Sequence, residues 1–444
     1  VKKLFKITTL SIVLITFFSC NETSIFFSLE NEEVILERNN LSNSAGFTSM
    51  VQIGSYYFGN AGTKIYYRSD SSVSSEDDWA ELVLPDGTNN GLETTAFDSD
   101  AAVTSMVKVG AIGSETMFIS RISFDGASIV SGIFSLPYAD VSAPASVSSA
   151  DWDAQVKTAV AHSNVHYSNV YRLFADENSG GDDLFINHLK YRFESSVDTS
   201  GVISQSYLYY ADDPATNNIN NTLSSEIQID NADITLLGDL DSGTPAVAKV
   251  ENIVFDGNDE WFLIINDDTE GALYSSSNVV TTSSFSAVSG APASVRFVDL
   301  YAFDGTRLLV SDTAGSLHIY NGTAFRELTS SNAWLKGFVN INGLGSIASD
   351  QILIGTTGNK IETTYDGEGY VQLDASGADS AWDWVDTNFS DENNYNSSDL
   401  SSASILGFLV DTGKDRLFAY TAGDGVFANE VDKDDPSIRV WGWE

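Results

Sequence analysis

The sequence predicts an all-β chain built by repetition of one antiparallel unit, and three observations carry that prediction. After Ala45, short β-rich runs alternate with clusters of Gly, Asn, Asp and Ser, the punctuation of strands and turns. A strand, a tight polar turn and a returning strand recur at intervals of about 45 to 65 residues, which marks a repeat architecture. The chain is 42% hydrophobic and 11% aromatic, enough for a large core, so its net charge of −40 does not make it disordered.

In chain order, looser copies of the unit lie at 50–67, 106–134 and 170–191. Residues 261–265 then lead through Asp267, Asp268 and Gly271 into Ala272, Leu273 and Tyr274. The hairpin at 307–322 repeats 44 residues later at 351–361, and 416–420 passes Gly423, Asp424 and Gly425 to Val426 and Phe427. A preceding strand ends in Val254-Phe255-Asp256-Gly257 and, 48 residues on, in Ala302-Phe303-Asp304-Gly305. Seven units therefore begin near 46, 93, 162, 246, 295, 339 and 403. Units of three or four short strands cannot bury two sheet faces alone, and radial stacking solves that. The expectation is a seven-bladed β-propeller over 46–444.

Three features depart from the repeat. Ser148 or Ser149 can cap a helix over about 149–161, with Asp151 and Asp153 near its positive end and Trp152, Val156, Ala159 and Val160 on one face. The stretches 195–230 and 376–402 read as long loops within blades. The alternation of Ile438, Val440, Trp441 and Trp443 makes the C-terminus a strand, with Val34, Ile35 and Leu36 as a potential partner closing the ring. These blades resemble those of bacterial-neuraminidase-type-repeat and sensor-type propellers. The Asp-box pattern is approached only at 364–370, with its glycine displaced, and Trp382-Asp383-Trp384 reads as part of an insertion.

Lys2, Lys3 and Lys6 precede an apolar run over 7–18 that ends at Phe17-Phe18-Ser19-Cys20, and Cys20 is the only cysteine. The run falls short of the about 20 residues that span a bilayer. The layout resembles a bacterial lipoprotein signal. That resemblance implies removal of 1–20, lipid on Cys20 as the membrane attachment, a tether over 21–45, and a place in the cell envelope, periplasmic or surface-exposed. A lipidated sole cysteine leaves no disulfide to stabilise the fold.

With 62 acids against 22 bases, the surface repels phosphate backbones, which excludes nucleic acid as a partner. A sialidase needs clustered arginines to clamp a carboxylate, and here they are scattered singly. His162 and His166 have the spacing of helical zinc ligands but no glutamate between them. Acid-rich turns, Asp239 with Asp241 and Asp267 with Asp268, are the calcium candidates, and no other cofactor is indicated. Trp382 and Trp384, in a polar stretch, are the candidate anchors for a partner. No P-loop, dinucleotide fingerprint or nucleophile elbow occurs, so no catalytic residue is assigned. The expected function is non-enzymatic binding of a protein or glycan in the envelope, with a sialidase-like glycoside hydrolase or an envelope-assembly scaffold lipoprotein as the alternatives.

Overall fold

The computed structural model describes residues 46–443 apart from 72–78, 87–96, 98–100, 126–127, 162–165, 176–182, 194–201, 213, 215–248, 259, 267–269, 278–284, 329–333, 345–346, 348, 357–369, 386–403, 424 and 432–438. Seven antiparallel sheets follow one another along the chain. Blade 1 is β1 (Ser49–Ile53), β2 (Tyr56–Asn60), β3 (Ile65–Ser69) and β4 (Ala80–Leu82). Blade 2 is β5 (Ala102–Val109), β6 (Thr116–Asp125), β7 (Ser128–Leu136) and β8 (Asp153–Ala161). Blade 3 has three described strands, β9 (His166–Phe174), β10 (Asp183–Phe193) and β11 (Val202–Asp212). Blade 4 is β12 (Lys249–Phe255), β13 (Trp261–Asn266), β14 (Gly271–Ser276) and β15 (Ser286–Ala287). Blade 5 is β16 (Phe297–Ala302), β17 (Leu308–Asp312), β18 (Leu317–Tyr320) and β19 (Phe325–Leu328). Blade 6 is β20 (Leu335–Asn340), β21 (Gln351–Thr356), β22 (Tyr370–Asp374) and β23 (Asp383–Val385). Blade 7 is β24 (Ile405–Asp411), β25 (Arg416–Thr421), β26 (Val426–Val431) and β27 (Arg439–Trp443).

The chain is thus a seven-bladed β-propeller. Successive first strands neighbour one another around the axis, and β1 meets β24 to close the ring. The second strands are the most buried, with β13 and β17 buried at every position, because each packs against blades on both sides. The core is accordingly a set of inter-blade clusters. One joins Phe47, Tyr57 and Trp79 of blade 1 to Phe418 and Val426 of blade 7. Tyr57 also donates to Asp411 Oδ2 across that junction at 2.5 Å. Blade 7 takes all four strands from one continuous stretch, since β27 pairs with β26; residues 34–36, the expected closing partner, lie outside the described residues.

The expected helix at 149–161 is not formed. Its capping box is real, with Asp151 Oδ2 accepting from Ser148 N at 2.7 Å and Ser148 Oγ at 2.8 Å, but it closes only a 3-10 turn over Ser149–Asp151. Residues 153–161 instead pair with β7 as an outer strand, and Trp152 is 2% exposed with Nε1 donating to Val83 O of blade 1. A short apolar run fits either periodicity, and the open edge of β7 decided it. The described α-helix is the four-residue α1 (Tyr138–Val141). The stretch 195–230 contains β11, and 376–402 contains a 3-10 turn and β23, so neither is a loop throughout. In blade 6 the returning strand starts at Tyr370 rather than near 359, so its hairpin is longer than the repeat implied.

Candidate functional site

All first strands run in the same direction around the axis, so their beginnings, together with the turns between second and third strands, form one face of the disc. Five of them carry a register irregularity near that end, at Thr104, Glu251, Val298, Gly337 and Leu406. The bulges aim polar groups at the next blade. Thr104 Oγ1 donates to Tyr171 O at 2.9 Å; from the regular β9, Arg172 Nη1 also donates to Val250 O of the next blade, at 2.6 Å. Asn252 Nδ2 donates to Asp299 Oδ1 at 2.7 Å and to Leu300 O at 3.0 Å, while Gly337 N donates to Asp299 Oδ2 at 2.7 Å. Gly337, at φ 67, lies against Gly407 so closely that a Cβ would strike its backbone.

On this face, blades 4 to 6 carry three described basic side chains beside the acids Glu251, Glu270, Asp299 and Asp312. Lys249 opens β12, Arg296 precedes β16, and the exposed Lys336 follows the first residue of β20. Glu251 is held by Lys249 at 2.7 Å and by Arg172 at 3.3 Å. Burial pushes the Glu251 carboxyl up, but the two cations outweigh it and hold it below the usual range. Asp299 is occupied by Asn252, Leu300 N and Gly337 N. Both carboxylates serve the inter-blade lattice, and Glu251 is held ionised rather than raised toward neutrality as a general acid requires.

Immediately before β20 stands Trp334, 49% exposed, and its Nε1 donates to Thr313 O in the turn between β17 and β18 at 3.1 Å. That turn is fixed from below: Asp312 Oδ1 accepts from Ala314 N at 2.8 Å and Ser316 N at 3.0 Å, and Oδ2 pairs with His318 Nε2 at 2.9 Å. Burial raises the Asp312 carboxyl, yet His318 and the turn amides prevail and depress it. The indole is therefore presented by a rigid turn. Nothing in the composition around Trp334 distinguishes it from the other tryptophans; only its position at a first strand's start does.

Of the anchors expected from the sequence, Trp382 is 1% exposed and belongs to the core, which corrects its placement on a partner surface. Phe303 meets its ring edge-on with centroids 4.9 Å apart, and the Arg307 guanidinium lies 4.6 Å from it. Arg326 Nη2 donates to Trp382 O at 3.1 Å. Trp384, in β23, is partly buried against the same cluster. Trp79, Trp152 and Trp382 all stand one residue before the outer strand of their blade and plug it against a neighbour.

Cys20, Asp239, Asp241, Asp267 and Asp268 lie outside the described residues, and among the described residues no three metal-ligating side chains cluster. His166 begins β9 and His162 lies outside the described residues, so the helical zinc spacing does not apply. Arg172 is the one described arginine within a first strand, and an arginine clamp at the axis is not assembled among the described residues.

No protein-family model and no curated protein matches the chain. Among solved structures it is similar to YCF48 bound to D1 peptide, at 9% identity and TM-score 0.46, over 88% of this chain and 94% of that one. It is also similar to the extracellular domain of a putative hybrid two-component system from B. thetaiotaomicron, at 10% identity and TM-score 0.40, over 88% of this chain and 39% of that one. The WD40 propeller domain of Doa1 aligns at 10% identity and TM-score 0.37, over 90% of this chain and 97% of that one.

Proposed function

We propose that this protein is a non-enzymatic binding propeller of the cell envelope, held to a membrane through lipid on Cys20, that engages a protein partner at the mouth formed by blades 4 to 6. The observation that carries the reading is Trp334: an indole about half open to solvent, fixed through Nε1 on the face where the first strands begin. Tryptophans held in this way dominate binding energy when a partner encloses them, at about 2 kcal/mol or more each. Lys336 beside it and Arg296 nearby favour a partner segment that carries acidic groups. A hydrolase is disfavoured because Glu251 and Asp299, the carboxylates on the first strands of these blades, are engaged in structural pairs.

The test compares wild-type protein with Trp334→Ala and Lys336→Glu in crosslinking to envelope extracts, with melting curves of each. Loss of one specific crosslinked species in both variants, at unchanged melting temperature, supports the mouth as the interface. Crosslinking identical to wild type in both removes it, and a crosslinked species that survives protease treatment of the extract replaces the protein partner with a glycan. Turnover of sialyl or common glycosyl substrates by the purified protein would overturn the non-enzymatic reading.

A further inference from the structure

A cavity of about 420 Å³ lies between blades 1 and 2, away from the axial mouth. Its wall on one side is the outer edge of blade 1, from Glu81 through Val83, Leu84 and Pro85 to Asp86, and on the other the Arg121 side chain of β6 with Phe97. Arg121 is 6% exposed. Its Nη1 donates to Pro85 O and its Nη2 to Ala101 O at 3.4 Å, Nε has no partner, and the guanidinium lies 4.8 Å from the centre of the Phe97 ring. Among the described residues, no carboxylate forms a salt bridge with it. Asp86 acts on it from a distance, with Oδ2 taken by Ser149 Oγ at 3.2 Å. At the rim, Lys64 and Glu81 neutralise each other at 2.6 Å.

A buried guanidinium is costly unless it is paired, and among the described residues the carboxylate acting on Arg121 is that of Asp86, which forms no salt bridge with it. Two backbone carbonyls use two of its five N–H donors, which anchors the group without neutralising it. Burial lowers the Arg121 pKa to about 10, so the charge persists at neutral pH. The remaining walls, Val83, Leu84, Pro85 and Phe97, are apolar, and the half-exposed Val83 marks the entrance. The volume is at the lower end of the about 300–1,000 Å³ typical of ligand pockets.

We infer that this cleft binds the carboxylate of a small organic ligand, with Arg121 as counter-ion and an apolar body against Val83, Leu84 and Phe97. The carboxylate can be that of a free acid or of a peptide C-terminus; the chemistry recognised is the same. The site is separate from the mouth, and its failure leaves the partner-binding reading intact.

The experiment titrates the whole protein, at about 0.15 M salt where the screening length is about 8 Å, with hexanoate and with a tetrapeptide bearing a free C-terminus, each against its primary amide. Binding is followed by calorimetry and ligand-observed NMR. Saturable binding of hexanoate or of the free-acid peptide, at least tenfold tighter than the amide, is expected; which of the two binds identifies the source. Arg121→Gln should weaken it tenfold or more. Because Arg121 also holds two carbonyls, Leu84→Trp provides a second arm that fills the cleft and leaves the guanidinium in place, and it should abolish binding at an unchanged melting temperature. Equal affinity for acid and amide, full binding by a folded Leu84→Trp protein, or no saturable binding of either acid would overturn the inference.

Discussion

Trp382 and Trp334 are the same side chain in opposite roles, and the difference is set by their neighbours. Trp382 is closed in by Phe303 and Arg307 from blade 5, so Trp382→Ala should cost about 3–5 kcal/mol, read as a lower urea midpoint with little change in slope. Trp334→Ala removes a half-exposed ring and one hydrogen bond, and about 1 kcal/mol or less is expected in the same measurement. Equal losses in the two variants would show that Trp334 is packed in solution and is not an available anchor. Trp382 sits in a run of Ala, Asp, Ser and Gly, which reads locally as exposed; its burial comes from residues more than 70 positions earlier.

At the scale of the element, the turn between β17 and β18 combines Asp312, His318 and two backbone amides into one rigid unit beneath Trp334. Asp312→Asn should destabilise at neutral pH by about 1–3 kcal/mol, the cost of leaving buried donors poorly matched. The pH dependence has a definite sign. The folded Asp312 pKa is depressed, so its contribution is complete above the unfolded value of about 3.9 and is lost as pH falls through the folded value. The stability gap between wild type and variant should therefore narrow below about pH 4, measured by denaturation at pH 7 and pH 3; a gap that is constant or widens contradicts the pairing. The hairpin was legible in the sequence because a Gly-containing turn between two apolar runs is a local signal. The outer strand at 153–161 was not, since its capping box and apolar spacing also satisfy a helix and only pairing with β7 separates the two.

Among the described residues, the main non-local contacts join neighbouring blades, with β1 against β24 closing the ring. A net charge of −40 on such a body is self-repelling, and the repulsion is screened as the Debye length falls from about 30 Å at 0.01 M salt to about 3 Å at 1 M. The melting temperature should rise over that range; a flat or falling profile would show that charge repulsion does not limit stability. For the lipid attachment proposed at Cys20, the expected outcome of Cys20→Ser is loss of acyl label and release from membranes, because the apolar run before it is too short to anchor a chain. Fractionation with acyl labelling checks this, and label retained in the variant refutes it.

By itself, the sequence determined the all-β class, the seven units and the start of six of the seven first strands to within four residues, with β5 starting nine residues beyond the expected 93, because period-two apolar patterns and glycine turns act over a handful of neighbours. It also determined the acidity, 62 acids against 22 bases. The tertiary structure alone decided which side chains meet: Arg172, Glu251 and Asp299 come from three blades, Arg121 reaches the edge of blade 1, and Trp79, Trp152 and Trp382 turn inward while Trp334 stays out. Those outcomes depend on contacts between blades, whose partners are far apart in the chain, and no local pattern encodes what a neighbouring blade will cover.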